Sequence, residues 1–317
     1  MVKPILKWAG GKRQILHEIR ACLPPKELCE RYHEPFFGGG ALFFDTAPHS
    51  DESTINDINS RLMNFYRVVR DNPDGIITEL NNFRSPEAPP DESEEFVETN
   101  RKGKEIKSYY YQQRELFNNR PNGDNFDRVR EAAQLLYLNR TCYNGLYREN
   151  QSGEFNVPIG SHSSPNWKQT TRINEASHAL QGVKIEDDDF EYVRNHAKEG
   201  DLVYCDPPYR PVSRTSSFVE YSSDSFGPDQ QKRLRDMVVD LHERGVYVVM
   251  SNSPPIRELY NSYDGLAIHD IGAKRHINSN GEDRGEVGEI IVTNVPENNR
   301  REKTLKLDQF AQESSTT

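Results

Sequence analysis

The sequence predicts an α/β fold: a sheet with helices on both faces, interrupted by a helical block that carries one β-hairpin. Three observations lead there. Strand-like runs recur towards both ends of the chain, in "RYHEPF", "STINDI", "GVKIEDDDF", "DLVYCD", "GVYVVMSN", "GLAIHDI" and "GEIIVTNV". Val246 to Met250 and Ile290 to Val292 are continuous apolar runs, as expected of strands covered on both faces. From about residue 60 to 180, helical patterns replace this alternation.

Before the first run, "KWAGGK" (7–12) sets an aromatic and two glycines between lysines. Alone it reads equally well as a helix entry with a surface Trp. The first run leads into "EPFFGGGALFF" (34–44), where three glycines stand between a strand and an apolar helix-like stretch. Glycine lets the backbone turn tightly and approach a ligand closely. A purely structural turn is the competing reading. The second run ends in Asp57, seventeen residues after Gly40. An acid there is placed to bind a ribose, and helix capping is its alternative. Together the pair favours an adenosine-containing cofactor. The turn is F-x-G-x-G, not G-x-G-x-x-G, and no basic residue waits there for a pyrophosphate. A cofactor without phosphates, such as S-adenosylmethionine, fits better.

In the helical block, "DRVREAAQLLYLNR" sets Val129, Ala132, Ala133 and Leu136 on one face. The stretch 84–105 holds seven acids against four bases, and its Pro-containing first part reads as an exposed loop. "NGLYRENQSGEFNVPIG" has two extended runs flanking "NQSG", the mark of a hairpin turn. Just before it, "LNRTCYNGLYREN" (138–150) gathers Arg140, Tyr143, Asn144 and Arg148. Arg suits guanine or phosphate, Asn suits adenine, and Tyr can wedge into a base stack. A polar hairpin edge is the plainer reading.

After the block, "DLVYCDPPYR" ends a buried strand in Asp206, Pro207, Pro208 and Tyr209. Proline removes backbone donors and stiffens the path, leaving carbonyls free to accept beside a carboxylate. Converging acceptors with a flat ring alongside suit a planar group that carries an amine. An exocyclic amine is a poor nucleophile because its lone pair is delocalised. Acceptance of its N–H protons by Asp206 and Pro207 turns that lone pair towards an electrophile, with the Tyr209 face stacked on the ring. The competing reading is a strand-terminating turn with Tyr209 in the core. A base inside a duplex reaches such a pocket only if it is flipped out. "DQQKRLRDMVVDLHERG" follows as a helix, with Leu234, Met237, Val238 and Leu241 on one face, Asp229 at its start and Gly245 at its end. "AKRHINSNGEDRGEVGE" (273–289), with Lys274, Arg275 and Arg284, is a phosphate-contacting loop or a solvated one. The tail after Pro296 is polar.

Composition narrows the class. The net charge of −10 argues against nonspecific coating of nucleic acid but not against a locally basic face. Residues 139–172 supply one, with four bases against two acids. No run approaches the ~18 apolar residues of a membrane span, and the first residues lack a signal-peptide pattern, so a cytoplasmic protein without membrane association is expected. Cys22, Cys29, Cys142 and Cys205 form no CxxC pair, which predicts reduced, packed thiols. No cluster has metal-ligand spacing, and no metal is expected.

In combination these segments resemble a known family. "KWAGGK", "EPFFGGGALFF", "NDIN", "LNRTCYNGLYREN", "GEFNVP", "YCDPPY" and "SNS" stand in the order found in Dam-type DNA adenine-N6 methyltransferases. This is the alpha-group class, in which a target-recognition domain is inserted between the cofactor and catalytic motifs. The resemblance spans roughly residues 3–295 and is especially close to methylases of GATC-specific restriction–modification systems. It implies a Rossmann-like S-adenosylmethionine-dependent sheet formed by residues 1–60 and 181–296. Residues 61–180 are then the inserted target-recognition domain, and 297–317 a polar tail. By the same resemblance, Trp8, Lys12, Phe36, Gly38, Gly40, Asp57 and Asp206 contact S-adenosylmethionine. Asp189 and Phe190, in "DDDF", match the acid-aromatic pair near the cofactor adenine. Asp206, Pro207, Pro208 and Tyr209 match the pocket for a flipped adenine. Tyr143 matches the intercalating aromatic, Leu146 and Arg148 the base-reading positions, with Arg140 and Asn144 beside them. The implied substrate is double-stranded DNA at 5′-GATC-3′, which would associate the protein with the nucleoid, and the implied partner a cognate restriction endonuclease. Methylation of another site, of single-stranded DNA or RNA, or of a protein glutamine, and a DNA-binding module without catalysis, are the alternatives.

Overall fold

The computed structural model describes residues 2–12, 14–46, 53–91, 98–99, 105–106, 108–120, 126–161, 164–209, 226–271 and 288–300. Of the segments singled out above, the loop 273–289 lies outside the described residues except for Gly288 and Glu289. Residues 92–97 and 100–104 of the acidic stretch, and the tail from 301, lie outside them too.

Seven strands form one sheet: β1 (Tyr32–Glu34), β2 (Ser53–Asn56), β3 (Lys184–Glu186), β4 (Leu202–Cys205), β5 (Tyr247–Asn252), β6 (Ala267–Ile271) and β7 (Glu289–Thr293). Their spatial order is β3-β2-β1-β4-β5-β7-β6. The first five pair in parallel, and β7 runs antiparallel between β5 and β6. The order reverses between β1 and β4, which register as Tyr32↔Leu202 and His33↔Val203. In an open α/β sheet, ligands bind beyond the carboxyl ends of strands at such a reversal.

Alternation along the strands separates two cores. Leu202, Tyr204, Val249 and Ile291 pack on one side with residues of α1 (Leu16–Cys22), α2 (Ala41–Thr46) and α3 (Ser60–Asp71). Val203, Cys205, Val248, Met250, Ile290 and Val292 pack on the other with α8 (Val193–His196) and α9 (Pro228–Glu243). The sheet therefore has helices on both faces. On α9, Leu234, Met237, Val238 and Leu241 are buried as their spacing predicts, and Gly245 follows the helix at φ 75°. Its first turn opens on Pro228 behind Gly227, so Asp229 lies inside the helix and does not cap it. All four cysteines are free thiols, and Cys22, Cys142 and Cys205 are buried.

Between β2 and β3 run α3, α4 (Pro73–Asn82), α5 (Tyr109–Asn118), α6 (Arg128–Thr141) and α7 (Thr170–Ala179). A two-residue antiparallel pair, Glu98–Thr99 with Glu105–Ile106, stands apart from the main sheet. Helix α6 contacts α3, α4 and α5, and every residue from Glu131 to Asn139 is buried. The expected single apolar face was too narrow, because a helix surrounded by others buries its whole circumference. Beyond α6 the chain forms the expected hairpin, tied by Asn156 N–H donating to Arg148 O (3.0 Å) and Asn150 N–H to Glu154 O (2.9 Å). Its turn is shaped by the Asn150 side chain, which accepts from Ser152 N and Glu154 N, and by Gly153 at φ 75°.

One buried carboxylate secures the β1–β4 junction. Asp201, with no exposed side-chain surface, accepts from Arg31 Nε (3.1 Å), Arg31 Nη2 (2.6 Å) and Lys198 N (2.8 Å), with His33 Nε2 at 3.3 Å. Burial raises its carboxyl, but the hydrogen bonds from His33, Arg31 and Lys198 outweigh that and leave it below the ordinary value. Asp201→Asn, which leaves Arg31 without its counter-charge, is expected to cost about 3–5 kcal/mol in urea unfolding. Because the folded-state value is lowered, the wild-type advantage is fully present above the unfolded aspartate pKa of about 3.9 and fades as pH falls through the folded value.

Candidate active site

The carboxyl ends of β1 and β4 bring the two strongest sequence motifs side by side. After β1, the chain turns through Phe36–Gly40, with Gly38 at φ 49° and Gly40 at φ 65°. A Cβ on Gly40 would lie 2.5 Å from Phe37 Cζ, and one on Gly38 2.8 Å from Trp8 Cδ1. Both positions therefore need glycine for conformation and for space. Asp57, just past β2, accepts from Gly38 N (2.9 Å) and Asn59 N (3.0 Å), and burial pushes its carboxyl up in spite of these donors. It holds the glycine turn from below and caps no helix. The cap of α3 is Asn59.

After β4 comes Asp206, 21% exposed. Its Oδ1 receives Lys12 Nζ at 3.0 Å and Ser251 Oγ at 3.0 Å, while Oδ2 takes no hydrogen bond among the described residues. Ser251 is held in turn by the Tyr204 hydroxyl at 3.1 Å. The Pro207 carbonyl likewise takes no hydrogen bond among the described residues, whereas Pro208 O accepts from Gln231 Nε2 (3.1 Å). Tyr209 donates to Glu289 Oε2 (2.6 Å), and Lys12 Nζ lies 4.1 Å from the Tyr209 ring centroid. One carboxylate oxygen is anchored, one is left for a ligand, and a ring is pinned beside them.

Carboxylates crowd this crevice. Glu34, at the end of β1, is buried and bonded by Tyr32 OH (2.6 Å); burial raises its carboxyl well above the ordinary range, and Asp206 adds to the rise. Asp206 is raised too, first by burial, with Lys12 and Ser251 opposing and Glu289 adding. Lys12 is 5% exposed and also lies 3.9 Å from Glu289. Among the described residues, Lys12 is thus shared by Asp206 and Glu289, with Glu34 coupled to Asp206 and Asp57 under the glycine turn.

Phe36 stacks on Phe190 (centroids 5.2 Å), and Phe226 closes on both at 5.6 and 5.7 Å. Asp189 caps the turn after it by accepting from Glu191 N (2.9 Å), and Arg233 holds the same oxygen at 2.9 Å. Trp8 lies on the glycine turn and stacks on Tyr147 at 5.1 Å.

The candidate DNA-reading residues of the hairpin take part in none of the crevice contacts above. Among the described residues the large hydrophobics left exposed are Leu28, Ile58, Tyr143 (52%) and Leu146 (37%). Two of these four are the hairpin positions, and Ile58 follows Asp57. Asn144 is exposed at φ 55°, and Arg148 is exposed with Nε on Asn156 Oδ1 (2.7 Å). Arg140 is turned inward: its guanidinium donates to Ile5 O and to Gln169 Oε1 (3.3 Å). It lines a cleft of about 340 Å³ with Lys7, Asn166 and Arg172. Sequence reading overlooked Glu34, Ser251, Gln231, Glu289 and Phe226. Ser251 stood in the "SNS" motif without a role, and Glu34 directly preceded the glycine turn.

Comparison with known proteins shows the family of the chain. Residues 8–277 match the family model of the D12 class N6 adenine-specific DNA methyltransferases. A type II methyltransferase of Methanocaldococcus jannaschii, M.MjaIII, is 40% identical over 300 residues, covering 92% of this chain and 99% of that protein. Another from Lactococcus lactis subsp. cremoris, M1.LlaDCHI, is 39% identical over 299 residues, covering 92% and 95%. The DNA adenine methylase of Escherichia coli K12 is 34% identical over 296 residues, covering 93% and 96%. The chain belongs to the D12 class of N6 adenine-specific DNA methyltransferases.

For a reaction that uses Asp206 as an acceptor, its raised carboxyl predicts an acid limb. At saturating methyl donor, kcat/KM for DNA is expected to fall with decreasing pH through an apparent pKa above the ordinary ~3.9 of aspartate. Lys12→Met removes the strongest group that keeps the carboxylate ionised, so the limb moves to higher pH. Parallel pH–rate profiles check this, and an unmoved limb would place the titration on another group.

Proposed function

We propose that this D12-class enzyme transfers a methyl group from S-adenosylmethionine to N6 of an adenine flipped out of duplex DNA, within 5′-GATC-3′. The observation that carries it is the half-anchored carboxylate of Asp206. Lys12 and Ser251 fix Oδ1, and Oδ2 and the Pro207 carbonyl are left as two acceptors. An adenine amine offers two N–H donors to match them. With both accepted, its lone pair is turned out of the ring plane towards an electrophile.

Tyr209 supplies the stacking surface. Lys12 lies over the ring and the hydroxyl is tied to Glu289, which hold the ring beside the two acceptors. Stacking and amine recognition both require the base to leave the duplex.

S-adenosylmethionine supplies an electrophilic methyl group on a cationic sulfonium. The residues present fit it: a glycine turn at the strand reversal, a carboxylate under that turn for ribose, and an acidic crevice unsuited to pyrophosphate. Trp8, Lys12, Phe36, Gly38, Gly40 and Asp57 would hold it, with Asp189 and Phe190 at its adenine end. Asp206 acts as an orienting acceptor. Its raised carboxyl is a modest base, and the amine proton leaves to solvent as the C–N bond forms.

For recognition we assign residues 61–180 as a DNA-reading domain, inserted between the catalytic halves 1–60 and 181–296. The exposed Tyr143 and Leu146 support this, since an aromatic and an aliphatic side chain held out in water suit a wedge between bases. Arg148 and Asn144 beside them suit base edges, and Arg140 lines a basic cleft at the hairpin's foot. The relatives named type II methyltransferases point to a restriction–modification setting, in which an endonuclease acts on the same site in the cytoplasm.

Expression in a host without adenine methylation, followed by single-molecule mapping of N6-methyladenine, is expected to show modification at GATC throughout and elsewhere rarely. Modification at a different motif would retain the chemistry and refute the site. Absence of modified DNA with soluble protein present would overturn the proposal. Asp206→Asn is expected to lower kcat on the order of a hundredfold or more, with Kd for DNA within about threefold. Equal loss of both would remove the orienting role.

A further inference from the structure

The hairpin and the cofactor turn, though about 105 residues apart in sequence, share one continuous stack. Tyr147 stands between Leu146 and Arg148, and alternation turns its ring away from their exposed side. That ring lies 5.1 Å from the Trp8 indole at 25°. The same indole packs on the glycine turn so closely that a Cβ on Gly38 would sit 2.8 Å from Trp8 Cδ1, and one on Gly39 3.1 Å from Trp8 Cβ. Gly38 N then donates to Asp57 (2.9 Å). Three contacts thus lead from the hairpin to the acid under the cofactor turn.

A second weld runs alongside. Asn139, 1% exposed at the end of α6, accepts from Lys7 N (2.9 Å) and donates to Lys7 O (2.7 Å) and Gly145 O (3.1 Å). The Lys7 side chain lies over Gly145, where a Cβ would fall 2.3 Å from Lys7 Cδ. Within the hairpin, Tyr147 is held by a tilted contact with Phe155 (5.6 Å) and by its hydroxyl on Glu149 Oε1 (2.5 Å). These two contacts tie the ring to the hairpin.

We infer that Tyr147 is a positioning residue that couples DNA recognition at the hairpin to the cofactor turn through its stack on Trp8. The inference rests on the methyltransferase reading above. DNA engaging Tyr143, Leu146 and Arg148 shifts or stiffens the strand that carries Tyr147, and the stack passes this to Trp8 and the turn. By linkage the effect is reciprocal: cofactor binding alters DNA affinity by the factor with which DNA alters cofactor affinity.

The test is calorimetric titration of the full chain with S-adenosylhomocysteine, with and without a duplex that contains the methylated site. In the wild type the two affinities are expected to differ at least about fivefold. Tyr147→Leu, which keeps apolar bulk but loses the stack, is expected to reduce that ratio about two- to tenfold, with each separate affinity within about twofold of wild type. Tyr147→Phe, which keeps the ring, is expected to retain the ratio. A wild-type ratio of one overturns the coupling, as does an unchanged ratio in Tyr147→Leu. Loss of both separate affinities with the ratio kept would reduce Tyr147 to packing. A wild-type chain that binds no S-adenosylhomocysteine overturns the functional reading and this inference with it, a result distinct from independent binding of both ligands.

Discussion

Parallel pairing of β1 with β4, strands whose flanking residues Arg31 and Asp201 are 170 residues apart in the chain, is the constraint on which the site depends. A parallel ladder closed over so long a connection has no local turn to set its register. Register here is set by side chains at the amino end, where Asp201 gathers Arg31, His33 and the Lys198 amide, and by the backbone bond from Leu202 N to Arg31 O. At the carboxyl end the same register delivers the glycine turn and Asp206 to one crevice. A slip of one residue would turn Leu202 and Tyr204 to the wrong core and carry Asp206 away from Ser251.

That crevice is built against stability. Glu34, Asp57 and Asp206 are all raised by burial, so each carboxylate is less comfortable there than in water. Lys12 is the counter-charge that the structure sets among them, and it touches Asp206, Glu289 and the Tyr209 ring together. Packing apolar residues at these positions would give a more stable protein with no site. On the function proposed above, the arrangement is explained by its ligands: a cation in the crevice, and a planar amine at the acceptors that the lysine leaves.

Local signals were legible in the sequence and long-range ones were not. Glycines after β1, Asp57 after β2 and "DPPY" after β4 announce themselves because each needs only its own neighbours: a turn, a strand end, a stiffened path. The apolar runs of β5 and β7 were readable for the same reason. Nothing local tells that Lys12 reaches Asp206, or that Glu289, in a strand entering antiparallel beside β5, holds the Tyr209 hydroxyl. The full burial of α6 was missed because periodicity reports one apolar face, while Asn139, Glu131 and Gln134 are buried through partners that only tertiary structure supplies.

The place of the helical block follows from the sheet order. It enters between β2 and β3, on the far side of β1 from the reversal. Of its five helices, α3 packs with Leu202 and Tyr204 of β4, and its Tyr66 hydroxyl donates to Gly38 O (3.1 Å). Their return to the crevice is made by side chains: Asn139 on the Lys7 backbone, Lys7 over Gly145, Tyr147 on Trp8. The amino-terminal segment thus serves both halves, since Lys7 and Trp8 meet the hairpin while Lys12, one further turn along the chain, meets Asp206.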